Sequence, residues 1–129
     1  MTSAPARLLL DTHVLLWWLE DSAELSADLK DRIDTELEVS VSAATVWELA
    51  IKASLGKLEI PEDLSGLIEA SGLSELPVRL QHGDLAGRLP AVHRDPFDRM
   101  LIAQALIERL TLVTRDQFIQ QYDVPILKA

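Results

Sequence analysis

The sequence predicts an α/β domain in which helices cover both faces of a parallel sheet. Short apolar runs that suit buried strands alternate with segments of helical periodicity along the chain. No repeat, low-complexity tract or linker separates these elements, and glycine and proline mark only short turns. Strands that alternate with helices pair in parallel and leave both faces of the sheet to be covered. The length of 129 residues fits a single domain over residues 1–129.

The individual elements follow from apolar periodicity and from turn and capping residues. The predicted strands are 7–11, 38–42, 75–78, 111–114 and 124–127. The predicted helices are 13–20, 27–37, 43–55, 64–71, 81–89 and 97–110, with one or two helical turns at 117–122. Ser26 and Ser42 precede two of the helices as capping residues. The helix 81–89 is the weakest, because it contains Gly83 and Gly87.

The charge balance excludes a general polyanion binder. The formal net charge is −9, and residues 20–38 carry many of the acids, which is typical of a solvated helix face. Nonspecific affinity for nucleic acid comes mainly from lysine and arginine contacts to phosphate. Any nucleic acid must therefore be held locally or through metal ions.

The sequence also limits the compartment and the kind of metal site. Cysteine is absent, so disulfides and thiolate metal sites are excluded. Apolar runs such as 14–19 are far shorter than the roughly 20 residues that cross a bilayer. No segment resembles a secretory signal peptide, and we expect a cytoplasmic protein without a membrane partner.

Two acidic residues follow predicted strands at the places where α/β domains bind ligands. Asp11 ends the strand 7–11, and Asp116 follows the strand 111–114 by two residues. Ligands of open parallel sheets lie beyond the carboxyl ends of the strands, so both carboxylates share one site if these strands are neighbours. The alternative for each is local capping of the next helix.

The helix 43–55 carries a third candidate. Apart from Ser54, its polar residues form one line of Thr45, Glu48 and Lys52, which faces either solvent or a cleft. Glu48 lies in the middle of that line. The alternative interpretation is an ordinary ion pair between Glu48 and Lys52, four residues apart.

The segment 93–98 opens another helix and holds a fourth candidate. Asp95 and Pro96 form a complete helix start, so Asp95 is explained as a cap. Asp98 adds a carboxylate that capping does not require, although the helix dipole favours it there. Asp98 is therefore the stronger functional candidate of the two.

Gathered at one sheet edge, these carboxylates would repel one another, raise one another's pKa values and cost stability. Such a cluster implies a cation, and an all-oxygen site suits Mg²⁺ or Mn²⁺. One or two such ions can activate a water, orient in-line attack on a phosphodiester and stabilise the leaving oxygen.

Four blocks of the sequence resemble the motifs of PIN-domain ribonucleases, and in particular the VapC-type toxins of bacterial toxin–antitoxin pairs. The blocks are 9–18, 42–52, 93–105 and 112–116, in order and across essentially the whole chain. The resemblance implies a three-layer α/β/α domain around a mostly parallel sheet, and metal-binding acids at Asp11, Glu48, Asp98 and Asp116. It further implies a Mg²⁺- or Mn²⁺-dependent endoribonuclease, a homodimer, and inhibition by a small antitoxin. Such an antitoxin would lay apolar side chains along the active-site groove and present an arginine or lysine to the carboxylates.

Residues beside the acids have two interpretations each. Thr12 and Thr114 can donate hydrogen bonds to a carboxylate or a water, or can be plain caps. Four basic residues can bind RNA phosphates or neutralise the acids. They are Lys52, Arg94, Arg99 and Arg115.

The histidines and tryptophans carry weaker predictions. His13, His82 and His93 are scattered, with no serine or cysteine nucleophile motif near them, which disfavours a histidine-based hydrolase. We expect Trp47 in the core with one of Trp17 and Trp18, and the other of that pair at a dimer or antitoxin surface.

Other function classes remain open. A PIN nuclease with a housekeeping role would have no antitoxin, and a pure interaction protein would use the acids only structurally. A non-enzymatic Mg²⁺-binding signalling domain of receiver type needs paired acids after the first strand, a phosphoacceptor aspartate after the third and a late lysine. A phosphatase with an aspartate nucleophile needs a second aspartate where this chain has His13.

Overall fold

Five strands and six α-helices alternate along residues 6–129, which are the residues that the structure, a computed structural model, describes. The strands are β1 (Arg7–Leu10), β2 (Glu38–Ser42), β3 (Ser74–Leu76), β4 (Thr111–Thr114) and β5 (Ile126–Lys128). The helices are α1 (Thr12–Leu19), α2 (Ala27–Thr35), α3 (Ala43–Ser54), α4 (Leu64–Ala70), α5 (Leu80–Arg88) and α6 (Pro96–Glu108), with a 3₁₀ turn at Ile119–Gln121. The alternation predicted from the sequence is confirmed.

The sheet is parallel throughout, in the order β3-β2-β1-β4-β5. In the central strand β1, Leu9 is in register with Ser40 of β2 on one side and with Leu112 of β4 on the other. The chain thus builds outward from β1 to β3 and then returns to add β4 on the opposite side. A crevice forms at the carboxyl ends of two strands where the order reverses in this way. Here those strands are β1 and β4.

Leucines of β1 define the layers. Leu8 and Leu10 pack in a cluster with residues of α1, α2, α3 and α4, whereas Leu9 packs in a second cluster with residues of α6 and the 3₁₀ turn. Successive residues of a strand point to opposite faces, so the part of a central strand that lies between two helical layers is apolar on both faces. All three leucines are fully buried. The predicted three-layer α/β/α architecture is confirmed.

Element ends differ from the sequence prediction by one or two residues where a side chain or a proline intervenes. Asp11 caps α1 by accepting from the Val14 amide at 2.9 Å, so β1 stops at Leu10. The third strand ends at Leu76, since the next residue is Pro77, which lacks the N–H that would continue the ladder. At the end of α6, Arg109 adopts a left-handed conformation with φ 58° and closes the helix at Glu108.

The prediction that Trp47 lies in the core is wrong. Its side chain is 63% exposed, and its ring meets that of Phe97 edge-on at 5.3 Å. The buried line of α3 runs through Ala44, Glu48 and Leu49, so Trp47 falls on the opposite side of the helix. The other two tryptophans are both partly buried against the first cluster.

Helix length and composition also bear on the membrane prediction. Among residues 6–129, no helix is both long enough and apolar enough to cross a bilayer.

Candidate active site

A pocket of about 400 Å³ opens beyond the carboxyl ends of β1 and β4. All four acids singled out in the sequence line this pocket, together with another aspartate and two histidines. These seven residues are Asp11, Glu48, Asp98, Asp116, Asp95, His13 and His93. They come from four separate stretches of the chain, and the sheet order brings them together.

Asp11 both caps α1 and contributes a carboxylate to the pocket. Its Oδ1 accepts from the Val14 amide, and its Oδ2 accepts from the hydroxyl of Thr114 at the end of β4. The side chain is almost fully buried, and burial raises the pKa of Asp11 despite these two hydrogen bonds. The capping and functional interpretations of Asp11 are therefore compatible.

Glu48 enters the pocket from α3. Thr12 Oγ1 donates to Glu48 Oε1 at 2.7 Å, and Lys52 Nζ donates to Glu48 Oε2 at 2.8 Å. The ion pair expected four residues apart is thus present, and both partners line the pocket. The hydrogen bond that Lys52 donates to Glu48 raises the pKa of Lys52, so this lysine stays charged. The polar line of α3 faces the cleft.

Asp98 is the carboxylate whose protonation the site perturbs most visibly. Burial, followed by the charge of Asp95, raises the pKa of Asp98 to about 7, against the opposing effect of His93. His93 Nε2 lies 2.7 Å from Asp98 Oδ2 and 3.9 Å from Asp116 Oδ1. One potential ligand atom from each of these three residues lies within 4.8 Å of the other two.

Asp116 reaches the pocket from the turn after β4. Its Oδ1 accepts from the Phe118 and Ile119 amides at 2.8 and 2.9 Å, and its own amide donates to Thr114 Oγ1. Thr114 therefore bridges the chain after β4 to Asp11 after β1. The predicted hydrogen bonds of Thr12 and Thr114 to the acidic site are confirmed.

Sequence reasoning missed His93 as a member of the site. Three contacts hold this residue: its amide donates to Tyr122 Oη at 2.8 Å, its carbonyl accepts from Arg99, and its ring stacks on Phe118 at 5.2 Å. Its place in the same motif block as Asp98 was a usable signal. The scatter of the three histidines along the chain concealed it.

The predicted basic residues divide into two groups. Lys52 and Arg115 line the pocket, and Arg115 also pairs with Glu24 at 2.7 Å and lies 4.4 Å over the ring of Trp17. Arg94 is exposed and outside the lining. Arg99 is also outside it, because its guanidinium points into the backbone of the segment that precedes α6.

The donor set fits a hard divalent cation. Five carboxylates line the cleft, and the basic side chains among its described lining residues are Lys52, Arg115, His13 and His93. The raised pKa values of Asp11 and Asp98 indicate that burial and nearby negative charge oppose their ionisation. Oxygen ligands of this kind suit Mg²⁺ or Mn²⁺, and a bound cation would favour the ionised form of both groups.

Fold and site together define an α/β domain with a carboxylate pocket at the switch point of a parallel sheet. The sequence profile of the PIN domain matches residues 8–125, and the chain belongs to the PIN-domain family. Ribonuclease VapC22 of Mycobacterium tuberculosis is 27% identical over 129 aligned positions, which cover 92% of this chain and 93% of that protein.

Solved structures share the fold at lower identity. The DNA-bound VapBC structure from Salmonella typhimurium matches with a TM-score of 0.73 and 20% identity, covering 95% of this chain and 98% of that one. The VapBC2 structure from Rickettsia felis, bound to a DNA fragment from its promoter, matches with a TM-score of 0.70 and 14% identity over the same shares. The fold resembles that of VapBC toxin–antitoxin structures.

The raised pKa of Asp98 predicts a pH-dependent stability. In the metal-free protein, folded Asp98 keeps its proton until about pH 7, whereas the unfolded carboxyl loses it near its usual value of 3.8. The folded state thus binds more protons between these values, and Asp98 makes stability fall as pH rises through that window. With a chelator present, we expect the Tm to fall more between about pH 5 and about pH 8 in the wild type than in Asp98→Asn. Equal slopes in thermal melts would contradict the assignment.

Asp95 and Asp98 should respond oppositely to truncation. Asp95 Oδ1 accepts from the Phe97 and Asp98 amides at 2.8 and 3.2 Å, so Asp95→Ala should cost about 1 kcal/mol in denaturant unfolding and leave much of the Mn²⁺ affinity. Asp98→Ala should retain stability and lose Mn²⁺ binding in calorimetry. Asp95→Asn, which keeps the capping oxygen, is the matched control. Equal loss of binding in both alanine variants, without a change in stability, would show that the roles are wrongly divided.

Proposed function

We propose that the protein is a Mg²⁺- or Mn²⁺-dependent endoribonuclease that hydrolyses RNA phosphodiester bonds as the toxin of a toxin–antitoxin pair. The observation that carries this proposal is the convergence of Asp11, Glu48, Asp98 and Asp116 on one pocket. Membership of the PIN-domain family and the likeness to VapC22, which is named a ribonuclease, support it.

These four acids would hold the cation. When bound, it supplies Lewis-acid chemistry, which lowers the pKa of a water and stabilises negative charge on a phosphate. Thr12 donates a hydrogen bond to one oxygen of Glu48, and Thr114 donates one to an oxygen of Asp11. These bonds fix the orientation of the two carboxylates. The hydrogen bond between His93 Nε2 and Asp98 Oδ2 likewise constrains the carboxyl group of Asp98.

The basic lining residues account for how an acidic protein holds RNA. Lys52 and Arg115 place positive charge at the pocket itself, where a phosphate next to the scissile bond would lie. Arg115 is stiffened by Trp17 and Glu24, so little side-chain freedom would be lost on contact. Arg94 is a further phosphate contact in this proposal, on the exposed rim beside His93.

An apolar groove beside the acids supports an antitoxin partner. A cavity of about 460 Å³ is bordered by exposed Trp47 and by Val78, Phe97 and Met100, and its Trp47 and Phe97 are sequence neighbours of Glu48 and Asp98. A segment with apolar side chains and one arginine or lysine could fill this groove and satisfy the carboxylates together. The matching structures include a toxin–antitoxin complex from Klebsiella pneumoniae, at 15% identity. A homodimer, which the family resemblance implies, belongs to the same proposal.

The receiver-type alternative finds no support at the third strand. That class needs a phosphoacceptor aspartate after this strand, whereas β3 is an edge strand that ends at Leu76 and is followed by Pro77. Neither the strand nor Pro77 lines the acidic pocket.

The activity is tested with a charge-deleting, shape-conserving variant. Purified wild-type protein should cleave single-stranded RNA with Mg²⁺ or Mn²⁺ and not with a chelator, and Asp11→Asn should cleave at least about 100-fold more slowly. Its metal-free Tm should be equal or higher near pH 8, because a buried charge with a raised pKa is gone. The matched control is Asp31→Asn, at an exposed position of α2. Full cleavage by Asp11→Asn would end the proposal of a metal nuclease.

The partner is tested by co-expression with the neighbouring small open reading frame. We expect growth to be inhibited by this chain alone and rescued by the partner. The complex should weaken when Asp11, Glu48 or Asp98 is neutralised, or when Trp47 is replaced by serine, as measured by calorimetry. A chain that is harmless alone and captures no partner would instead support a housekeeping PIN nuclease.

A further inference from the structure

Arg99 follows Asp98 on α6, yet its side chain is directed away from the pocket. Its guanidinium donates to five backbone carbonyls, those of Ala86, Gly87, Leu89, Pro90 and His93, at 2.9 to 3.4 Å. All three of its nitrogens take part. A guanidinium has five N–H groups, so little donor capacity is left for a phosphate.

These carbonyls belong to the end of α5 and to the irregular segment 89–95 that leads into α6. Tyr122 provides a second tether, because its hydroxyl accepts from the His93 amide at 2.8 Å and donates to the Pro90 carbonyl at 2.6 Å. Segment 89–95 lacks the hydrogen-bond ladder of a helix or strand. Side chains from α6 and from the chain after β4 therefore hold its backbone in place.

The segment matters because it carries His93. The Nε2 atom of His93 lies 2.7 Å from Asp98 Oδ2, and Arg99 binds the carbonyl of the same histidine at 3.2 Å. A shift of about 1 Å in this backbone would break the contact with Asp98. The orientation of the Asp98 carboxylate thus depends on the segment that Arg99 holds.

We propose that Arg99 is a positioning residue that fastens the segment 86–93 and so sets His93 against the candidate metal ligand Asp98. This replaces the earlier expectation that Arg99 binds RNA. The expected effect on Mn²⁺ affinity rests on the metal site of the proposed nuclease function. The effects on backbone protection and on the histidine ring do not.

Replacement by lysine separates geometry from charge. Arg99→Lys keeps the positive charge that a phosphate contact would need, but a single ammonium cannot reach five carbonyls. We expect amide hydrogen exchange of the peptide covering 86–93 to accelerate about tenfold in the metal-free protein. We also expect Mn²⁺ to bind about tenfold more weakly in calorimetry. The ring ¹⁵N resonances of His93 should shift, while those of His13 should stay.

Arg88→Lys is the matched control, because Arg88 is an exposed arginine of α5 whose pairing with Asp84 a lysine can keep. It should change none of these three measurements.

If Arg99→Lys lowers the melting temperature below the range of the assays, Tyr122→Phe removes the second tether and should give the same exchange and histidine signatures. Unchanged exchange, Mn²⁺ affinity and His93 resonances in a folded Arg99→Lys protein would overturn the proposal. If the wild-type protein cleaves no RNA, the proposed nuclease function is wrong, whereas amide exchange and the His93 resonances still decide whether Arg99 positions the segment.

Discussion

The structure depends on a conflict between burial and like charge at the carboxyl ends of β1 and β4. The sheet order brings the ends of these two strands together, with Asp11 directly after β1 and Asp116 two residues after β4. Helices α3 and α6 add Glu48 and Asp98 from the flanks. Burial beside other carboxylates disfavours ionisation and raises the pKa values of Asp11 and Asp98. Buried carboxylates that lie close together cost stability and are typical of functional sites. The oxygen donors of this cluster suit the binding of a cation.

The residues next to the acids reduce the energetic cost of burying these like charges. Hydroxyl groups of Thr12 and Thr114 satisfy the two most buried carboxylates without adding charge. Lys52 forms an ion pair with Glu48 from within the same helix, and His93 forms a hydrogen bond with Asp98 from a loop. Each acid thus has at least one oxygen held by a hydrogen bond, and Asp11 and Glu48 have both oxygens held. Such constraint lowers the reorganisation needed when a cation and a phosphate enter.

Two surfaces of different character meet at this site. The pocket is acidic and polar, whereas the adjoining groove around Trp47 and Phe97 is apolar and exposed. An exposed tryptophan that packs on a half-buried phenylalanine beside a charged cleft is unfavourable in an isolated domain and suits a partner that covers both surfaces. Trp47 is exposed because of the rotation of α3 about its axis. The buried face of this helix carries Glu48 and directs its carboxylate toward the cleft, which leaves Trp47 on the opposite face.

The sequence by itself determined the element types, their order, the parallel sheet between two helical layers and the four candidate acids. Apolar periodicity and capping residues are local signals, and an acid after a strand is placed by local geometry. The end of β1 depended on the capping geometry of Asp11. The exposure of Trp47 depended on the rotation of α3 against its neighbours. Only the tertiary structure decided that β1 and β4 are adjacent, that His93 returns to Asp98, and that Arg99 turns to backbone carbonyls instead of the pocket. The physical reason is that these contacts join residues through long-range strand pairing and through an irregular loop, and neither leaves a periodic signal in the chain.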